Sequence, residues 1–261
     1  MLTPTLDKLR QLKFYGMLNA LEEQLQQSSY DELSFEERLS LLVDRETTER
    51  ENRRLQTRLK KAKLKHQACF ENIDFKSSRG IDRSVLLSLS SCKWIKDHNN
   101  VLLVGPTGTG KTFLACALAH KACLEGYSSY YVRLPRLFQE LLIAKGDGRY
   151  MKFMNQLAKT DLLILDDFGI NQLNDEQRRD LLEIVDDRHG IRSTIVTSQL
   201  PMTHWHENLG DPTLADAILD RLIHNAYKIQ LKGESMRKKM NNIDKNIDIK
   251  ENDLTNSQEK A

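Results

Sequence analysis

The sequence predicts an α/β fold: a parallel sheet with helices on both faces, preceded by a small all-helical N-terminal domain. Three observations predict it. Up to about residue 66 the apolar residues recur only at helical spacing. From about Cys69 onward, short runs rich in leucine and β-branched residues alternate with helical patterns, and such alternation implies a parallel sheet covered on both sides. Between the first of these runs and the helix after it lies a glycine-rich loop, the order expected of a P-loop phosphate site.

Taken in order, Thr3-Pro4 suits an N-cap and first helical turn, and Phe14, Leu18, Leu21 and Leu25 continue at helical spacing. Ser28-Ser29-Tyr30-Asp31 interrupts the pattern. Ser34-Phe35-Glu36-Glu37 is a capping box that opens a long helix through Leu39, Leu42 and Val43. Strands are expected at 101–104, 128–133, 161–166, 193–198 and 226–231. Asn174-Asp175-Glu176-Gln177 caps a helix carrying Leu181, Leu182 and Val185, which His189-Gly190 ends. The organisation expected is a helical N-terminal domain over 1–66, a nucleotide-binding domain over 67–240 and a disordered tail over 241–261. The tail is rich in Asn, Asp and Lys and poor in large apolar side chains.

Composition excludes more than it assigns. The 39 basic and 37 acidic residues nearly cancel, so only their distribution is informative. Cys69, Cys92, Cys116 and Cys123 form neither a CxxC pair nor a zinc spacing; Cys116 and Cys123, seven apart on one helix, read as small core residues in a reducing compartment. The first residues lack the charged and apolar regions of a signal peptide, and no apolar run approaches a membrane span, so a cytoplasmic location without membrane contact is expected. His204 and His206 have no third ligand nearby and are assigned no metal.

The chemistry concentrates in two places. Gly105-Pro106-Thr107-Gly108-Thr109-Gly110-Lys111-Thr112 follows the strand Val101–Val104 and precedes an apolar helix. Its glycines let backbone N–H groups curl around an anionic oxygen, and the helix N-terminus adds partial positive charge. Lys111 is placed to reach the β- and γ-phosphates of a nucleotide, and the Thr112 hydroxyl to ligate Mg²⁺. The second place is Leu162-Leu163-Ile164-Leu165-Asp166-Asp167, a buried strand ending in two carboxylates. Ligands of open α/β sheets bind at that end, so Asp166 is expected to hold Mg²⁺ opposite Thr112, and Asp167 to polarise an attacking water.

Two further positions stay open on spacing alone. Ser198-Gln199, after the strand Ser193–Thr197, suits either a polar group that orients water or a simple strand-end turn. Arg221 lies off the apolar stripe Leu214, Ile218, Leu222, and suits either a solvated ion pair with Asp220 or an arginine finger acting on a neighbouring subunit. Finally, eight basic residues face one acid between Arg50 and Lys65. Arg50, Arg54, Arg58, Lys61 and Lys65 recur at helical spacing, so they are expected on one helix face suited to the phosphate backbone of duplex DNA. Arg133, Arg136, Lys145, Arg149 and Lys152 form a weaker basic scatter.

Several segments carry a resemblance to a known family. These are Gln67-Ala68-Cys69-Phe70-Glu71-Asn72-Ile73-Asp74, Arg133-Leu134-Pro135-Arg136-Leu137, Leu165-Asp166-Asp167-Phe168-Gly169, Thr197-Ser198-Gln199-Leu200-Pro201 and Gly210-Asp211-Pro212-Thr213. Asp216–Leu222 and Gly233–Lys238 complete the set. From about residue 1 to Lys239 the chain resembles the IstB-like ATP-binding proteins that serve one group of insertion-sequence transposases. These are grouped with the DnaC-like helicase loaders in the initiator branch of AAA+ ATPases. The resemblance implies ATP and Mg²⁺ as cofactors and homo-oligomers that form with ATP and duplex DNA. It also implies deformation of that DNA and stimulation of a cognate transposase by a slow, DNA-stimulated ATPase. It further implies that Gln199, or else Ser198, is a sensor of the γ-phosphate, that Arg221 is an arginine finger, and that Arg237 is a second sensor. The alternative within the same branch is a helicase loader. The second acid is Asp167, where most AAA+ proteins carry Glu, and the shorter side chain implies slower activation of water.

Overall fold

The computed structural model describes residues 2–73, 80 and 82–236. The chain divides into two compact units between Lys60 and Lys61.

The first unit is helical. Helix α1 spans Leu2–Gln11, α2 spans Tyr15–Gln26, a single 3₁₀ turn covers Ser28–Tyr30, and α3 spans Phe35–Ala62. Between α1 and α2 the sequence reads as continuous helix, but the structure breaks it. Lys13 takes φ 60°, and Phe14 N–H reaches back to the Leu9 carbonyl at 2.9 Å. That is a Schellman-type closure made without glycine, which is why spacing alone does not show it. The expected capping box at α3 is present: Glu37 N–H donates to Ser34 Oγ at 3.3 Å, and Ser34 N–H to Glu37 Oε2 at 2.8 Å.

What packs α2 onto α3 is a buried carboxylate. Glu46, on α3, accepts from the first-turn amides Gly16 N–H at 2.7 Å and Met17 N–H at 3.2 Å, and from Arg50 Nε at 2.5 Å. The helices approach closely enough that a Cβ on Gly16 would lie 2.6 Å from the Arg45 carbonyl oxygen.

The second unit is the α/β layer structure. Helices α4 (Arg83–Ser90) and α5 (Lys93–Lys96) lead into strand β1 (Asn100–Val104), helix α6 (Lys111–Leu124) and strand β2 (Ser129–Arg133). Helices α7 (Leu134–Gly146) and α8 (Tyr150–Lys159) precede β3 (Leu162–Phe168). Helix α9 (Asp175–Asp186), β4 (Ser193–Ser198), α10 (Trp205–Leu209), α11 (Pro212–Ile223) and β5 (Ala226–Gln230) complete the order. The strands pair in parallel in the order β2-β3-β4-β1-β5.

Successive strand residues serve opposite faces. Val101, Leu103, Ile164 and Ile195 pack with α4, α5 and α6, while Leu102, Val104, Leu163, Leu165 and Val196 pack with α7 to α11. Burial on both sides explains why these strands read as unbroken apolar runs. Cys116 is buried in the first of these layers, Cys123 is buried on the same helix, and the cysteines are unbridged. No helix among the described residues is long and apolar enough to cross a membrane.

The Glu46 contact generates a test of the helical unit. Burial works against its charge, but Arg50 and the amides of Met17 and Gly16 outweigh that and hold the carboxyl below its ordinary value of 4.5. A carboxyl with a lowered folded-state value contributes stability that is complete above pH 4.5 and lost as the pH falls below it. Glu46→Ala should cost about 1–3 kcal/mol. The cost should be read as lost amide-exchange protection across residues 15–26, with a smaller difference between variant and wild type in acid. Equal protection at neutral pH would contradict the packing role.

Candidate functional site

The phosphate loop bridges β1 and α6 at the C-terminal end of the sheet. Gly105 N–H extends the β1–β4 ladder to the Ser198 carbonyl at 3.1 Å. Gly110 takes φ 95° as the N-cap of α6, whose fourteen residues align their dipoles behind the loop. The segment after β5 closes over it: Leu231 N–H donates to the Val104 carbonyl at 2.7 Å, and Met236 N–H to the Gly108 carbonyl at 2.9 Å. Gly108 has φ 84°, and a Cβ there would lie 2.1 Å from Ser235 Oγ. Lys111 is buried at 7% exposure and donates to the carbonyls of Gly105 (2.6 Å) and Pro106 (2.8 Å). Burial lowers its pKa, and Asp166 and Asp167 partly restore it.

Across from the loop, Asp166 is fully buried at the end of β3. Its Oδ1 accepts from Thr112 Oγ1 at 2.9 Å and from Thr197 Oγ1, and its Oδ2 accepts from Tyr131 OH at 2.6 Å. Burial, and then the hydrogen bond to Asp166, raise the Tyr131 phenol above its ordinary value, so it stays a donor. Thr112 and Asp166, two oxygen donors in contact at the mouth of the loop, fit the hard-ligand preference of Mg²⁺.

The two acids are not equivalent. In a regular strand consecutive side chains face opposite ways, but the β3–β4 register slips between Leu165 and Phe168, and Asp167 takes φ 65°. Asp167 N–H donates to Thr197 Oγ1 at 3.3 Å. Its carboxylate accepts from Arg133 Nε at 2.6 Å, which raises the arginine's pKa. A left-handed aspartate costs on the order of 1–3 kcal/mol and is retained where the surroundings impose it. Of the two residues offered as a sensor, Gln199 faces the loop, accepting from Thr107 Oγ1 at 2.5 Å. The buried Ser198 hydroxyl is used up on the Phe168 and Leu200 backbone.

The remaining sequence-derived positions separate. Arg221 does not pair with Asp220; its Nε donates to Asp186 at 2.5 Å and its Nη1 to the Ala217 carbonyl at 2.9 Å. Its own carbonyl accepts from Asn100 Nδ2 at the start of β1. At about 3.3 Å per residue, that lies about 16 Å from Gly105, so Arg221 cannot serve this chain's own loop.

The basic helix face is shorter than its spacing implies. Helix α3 ends at Ala62, because Lys63 turns into the left-handed region at φ 51°. Lys65 is therefore not on the helix; its Nζ lies 4.0 Å from Asp166 Oδ2. Arg50 is committed to Glu46, and its guanidinium lies 4.8 Å from the Phe14 ring centroid. Arg54 and Lys61 are exposed and Arg58 is half-buried. Arg133, half-exposed, pairs with Asp167, and Arg136 pairs with Glu140 one turn on. Arg237 and the tail 241–261 lie outside the described residues, as does Asp74.

Tyr131 and Thr197 are the site residues that motif spacing passes over. Their signal was a hydroxyl within a strand expected to be buried, where a polar group needs a partner.

A glycine loop after a central strand, an opposed acidic pair and the order β2-β3-β4-β1-β5 define a P-loop nucleotide-binding domain of the AAA+ kind. Solved structures share this fold. The DnaC helicase loader matches with TM-score 0.54 at 22% identity, over 66% of this chain and 100% of that one. DnaI matches with TM-score 0.56 at 24% identity, over 64% and 92%.

The chain belongs to the family of IstB-like ATP-binding proteins, whose model matches residues 7–243. A Sinorhizobium fredii protein named as an insertion-sequence ATP-binding protein is 51% identical over 90% of this chain and 96% of its own length. The corresponding protein of insertion sequence IS21 from Pseudomonas aeruginosa is 36% identical over 88% and 87%.

The loop generates a direct test. Gly108→Ala combines a strained φ with a clash against Ser235 and should weaken binding of an ATP analogue by at least about tenfold, with the melting transition lowered by only a few degrees. Undiminished affinity would mean that this loop conformation is not the binding one.

Proposed function

We propose that this protein is an ATP-dependent, DNA-binding regulator of transposition, which assembles on duplex DNA, remodels it and stimulates a partner transposase. The observation that carries the reading is the constellation of Lys111, Thr112, Asp166 and Asp167 in one cleft, within a family whose relatives are named for insertion sequences and ATP binding. Likeness to the helicase loader is a likeness of fold, whereas the kinship over 90% of the chain is to the insertion-sequence proteins.

In this reading the loop amides and Lys111 hold the β- and γ-phosphates. Thr112 and Asp166 hold Mg²⁺, which when bound offsets charge on those phosphates. Asp167 accepts a proton from the water that attacks the γ-phosphorus, and ADP leaves. Gln199 is tied to the loop through Thr107 and orients that water. Arg221 serves the cleft of a second copy, since it lies at the far end of β1 from its own loop. Arg54, Arg58 and Lys61 contact DNA phosphates from α3, with Arg136 as a further contact.

The Arg133–Asp167 pair supports a slow basal rate. While Arg133 holds the carboxylate, the Asp167 oxygen that would take the proton of water is already engaged, and a DNA phosphate that draws Arg133 away frees it.

The experiment compares ATP turnover and DNA-bound assembly in wild type, Lys111→Ala and Arg133→Ala, with and without duplex. Lys111→Ala should weaken ATP binding by about 10–100-fold and abolish ATP-dependent assembly on DNA and stimulation of the transposase. Arg133→Ala should raise DNA-free turnover by up to about fivefold, the worth of an exposed ion pair, and narrow the gap that duplex makes. Assembly that ignores both ATP and Lys111 would overturn the reading.

A further inference from the structure

Lys65 was expected on a DNA-binding helix face, yet it lies beside the carboxylate that faces the phosphate loop. It follows the end of α3 by three residues, in the short basic segment Lys63-Leu64-Lys65-His66.

Three contacts fasten that segment. Lys63 Nζ lies 3.4 Å from Tyr130 OH and 5.3 Å from the centre of its ring. The His66 ring lies 6.5 Å, centroid to centroid, from Phe113 on the first turn of α6. Lys65 Nζ is 4.0 Å from Asp166 Oδ2. The segment thus runs from the β2 edge to the start of α6, with the nucleotide-site carboxylate between its anchors.

The electrostatic requirement at Asp166 is plain. A fully buried carboxylate needs compensation. Its three hydroxyl partners, from Thr112, Thr197 and Tyr131, supply dipoles but no charge. Among the described residues, Lys65 is the cation found within ion-pair distance of it. Lys111 is instead bonded to loop carbonyls.

We propose that Lys65 is the tethered counter-ion of Asp166, a positioning residue that competes with Mg²⁺ for this carboxylate and withdraws when the metal–nucleotide complex binds. Two cations crowded against one buried carboxylate repel one another. Metal entry therefore loosens Lys65 and, with it, the strap of residues 63–66. At 38% exposure, the Lys65 side chain has solvent to move into. The strap then reports whether the nucleotide site holds its metal, at the point where α3 ends.

This inference rests on the assignment of Asp166 and Thr112 to Mg²⁺, and its test separates the two. Using the full chain and a fluorescent non-hydrolysable ATP analogue, Mg²⁺ is titrated for wild type, Lys65→Met, Lys65→Arg and Lys111→Ala. Amide exchange over residues 63–66 is followed with and without Mg²⁺. Lys65→Met keeps the aliphatic stem and removes the competing charge, so its Mg²⁺ midpoint should fall about two- to fivefold, the range of a half-exposed ion pair. Lys65→Arg should titrate like wild type, and exchange over the strap of wild type should rise only when Mg²⁺ and analogue are both present.

An unmoved midpoint in Lys65→Met overturns the proposal. So does a raised midpoint, which would make Lys65 a phosphate ligand instead of a competitor of the metal. If either occurs while wild type binds the analogue with Mg²⁺ and Lys111→Ala does not, the nucleotide site stands and only the counter-ion role fails. If wild type shows no Mg²⁺-dependent binding, both fall together.

Discussion

The burial of one carboxylate, Asp166, organises the nucleotide-facing end of this molecule. It is fully buried, and each hydroxyl that satisfies it comes from a different element: Thr112 from the start of α6, Tyr131 from β2 and Thr197 from β4. An unpaired polar group in that position would be costly, so the ends of three parallel strands and the first turn of the loop helix are held in mutual register by it. The phosphate loop inherits its place from the same contact, because Thr112 directly follows Lys111.

Beside that fixed point the neighbouring acid is held differently. Asp167 lies one residue on, past a register slip, in a left-handed backbone conformation, and its carboxylate turns to the half-exposed Arg133. One acid is thus locked to the protein's own hydroxyls, and the other is held by a surface ion pair of modest strength. The division of labour we propose, with Asp166 on the metal and Asp167 acting on water, is built on that asymmetry.

Much of this was legible in the residues. The apolar runs at 101–104 and 161–166 announced strands buried on both faces, and the glycine loop and acidic pair identified the end of the sheet where they meet. What was not legible depended on contacts between distant positions or on backbone conformations without a residue signature. The helix break at Lys13 uses no glycine, and the cap that Glu46 gives to α2 spans thirty residues. Helical spacing carried the basic face through to Lys65, but a left-handed Lys63 ends the helix first. Arg133 is the surface cation that its charge pattern indicates, but such patterns do not show which carboxylate a side chain will meet. Tyr131 and Thr197 lie in strands with several hydroxyl side chains, and spacing does not show which of those hydroxyls meets Asp166.

The division between the two acids is the central claim, and paired variants test it most directly. Binding of an ATP analogue should be titrated with Mg²⁺ for Asp166→Asn and Asp167→Asn, alongside single-turnover hydrolysis. Asp166→Asn should lose the enhancement of binding by Mg²⁺, whereas Asp167→Asn should bind metal and nucleotide as wild type does and lose turnover. Mg²⁺-dependent binding that survives in Asp166→Asn and disappears in Asp167→Asn would contradict the account.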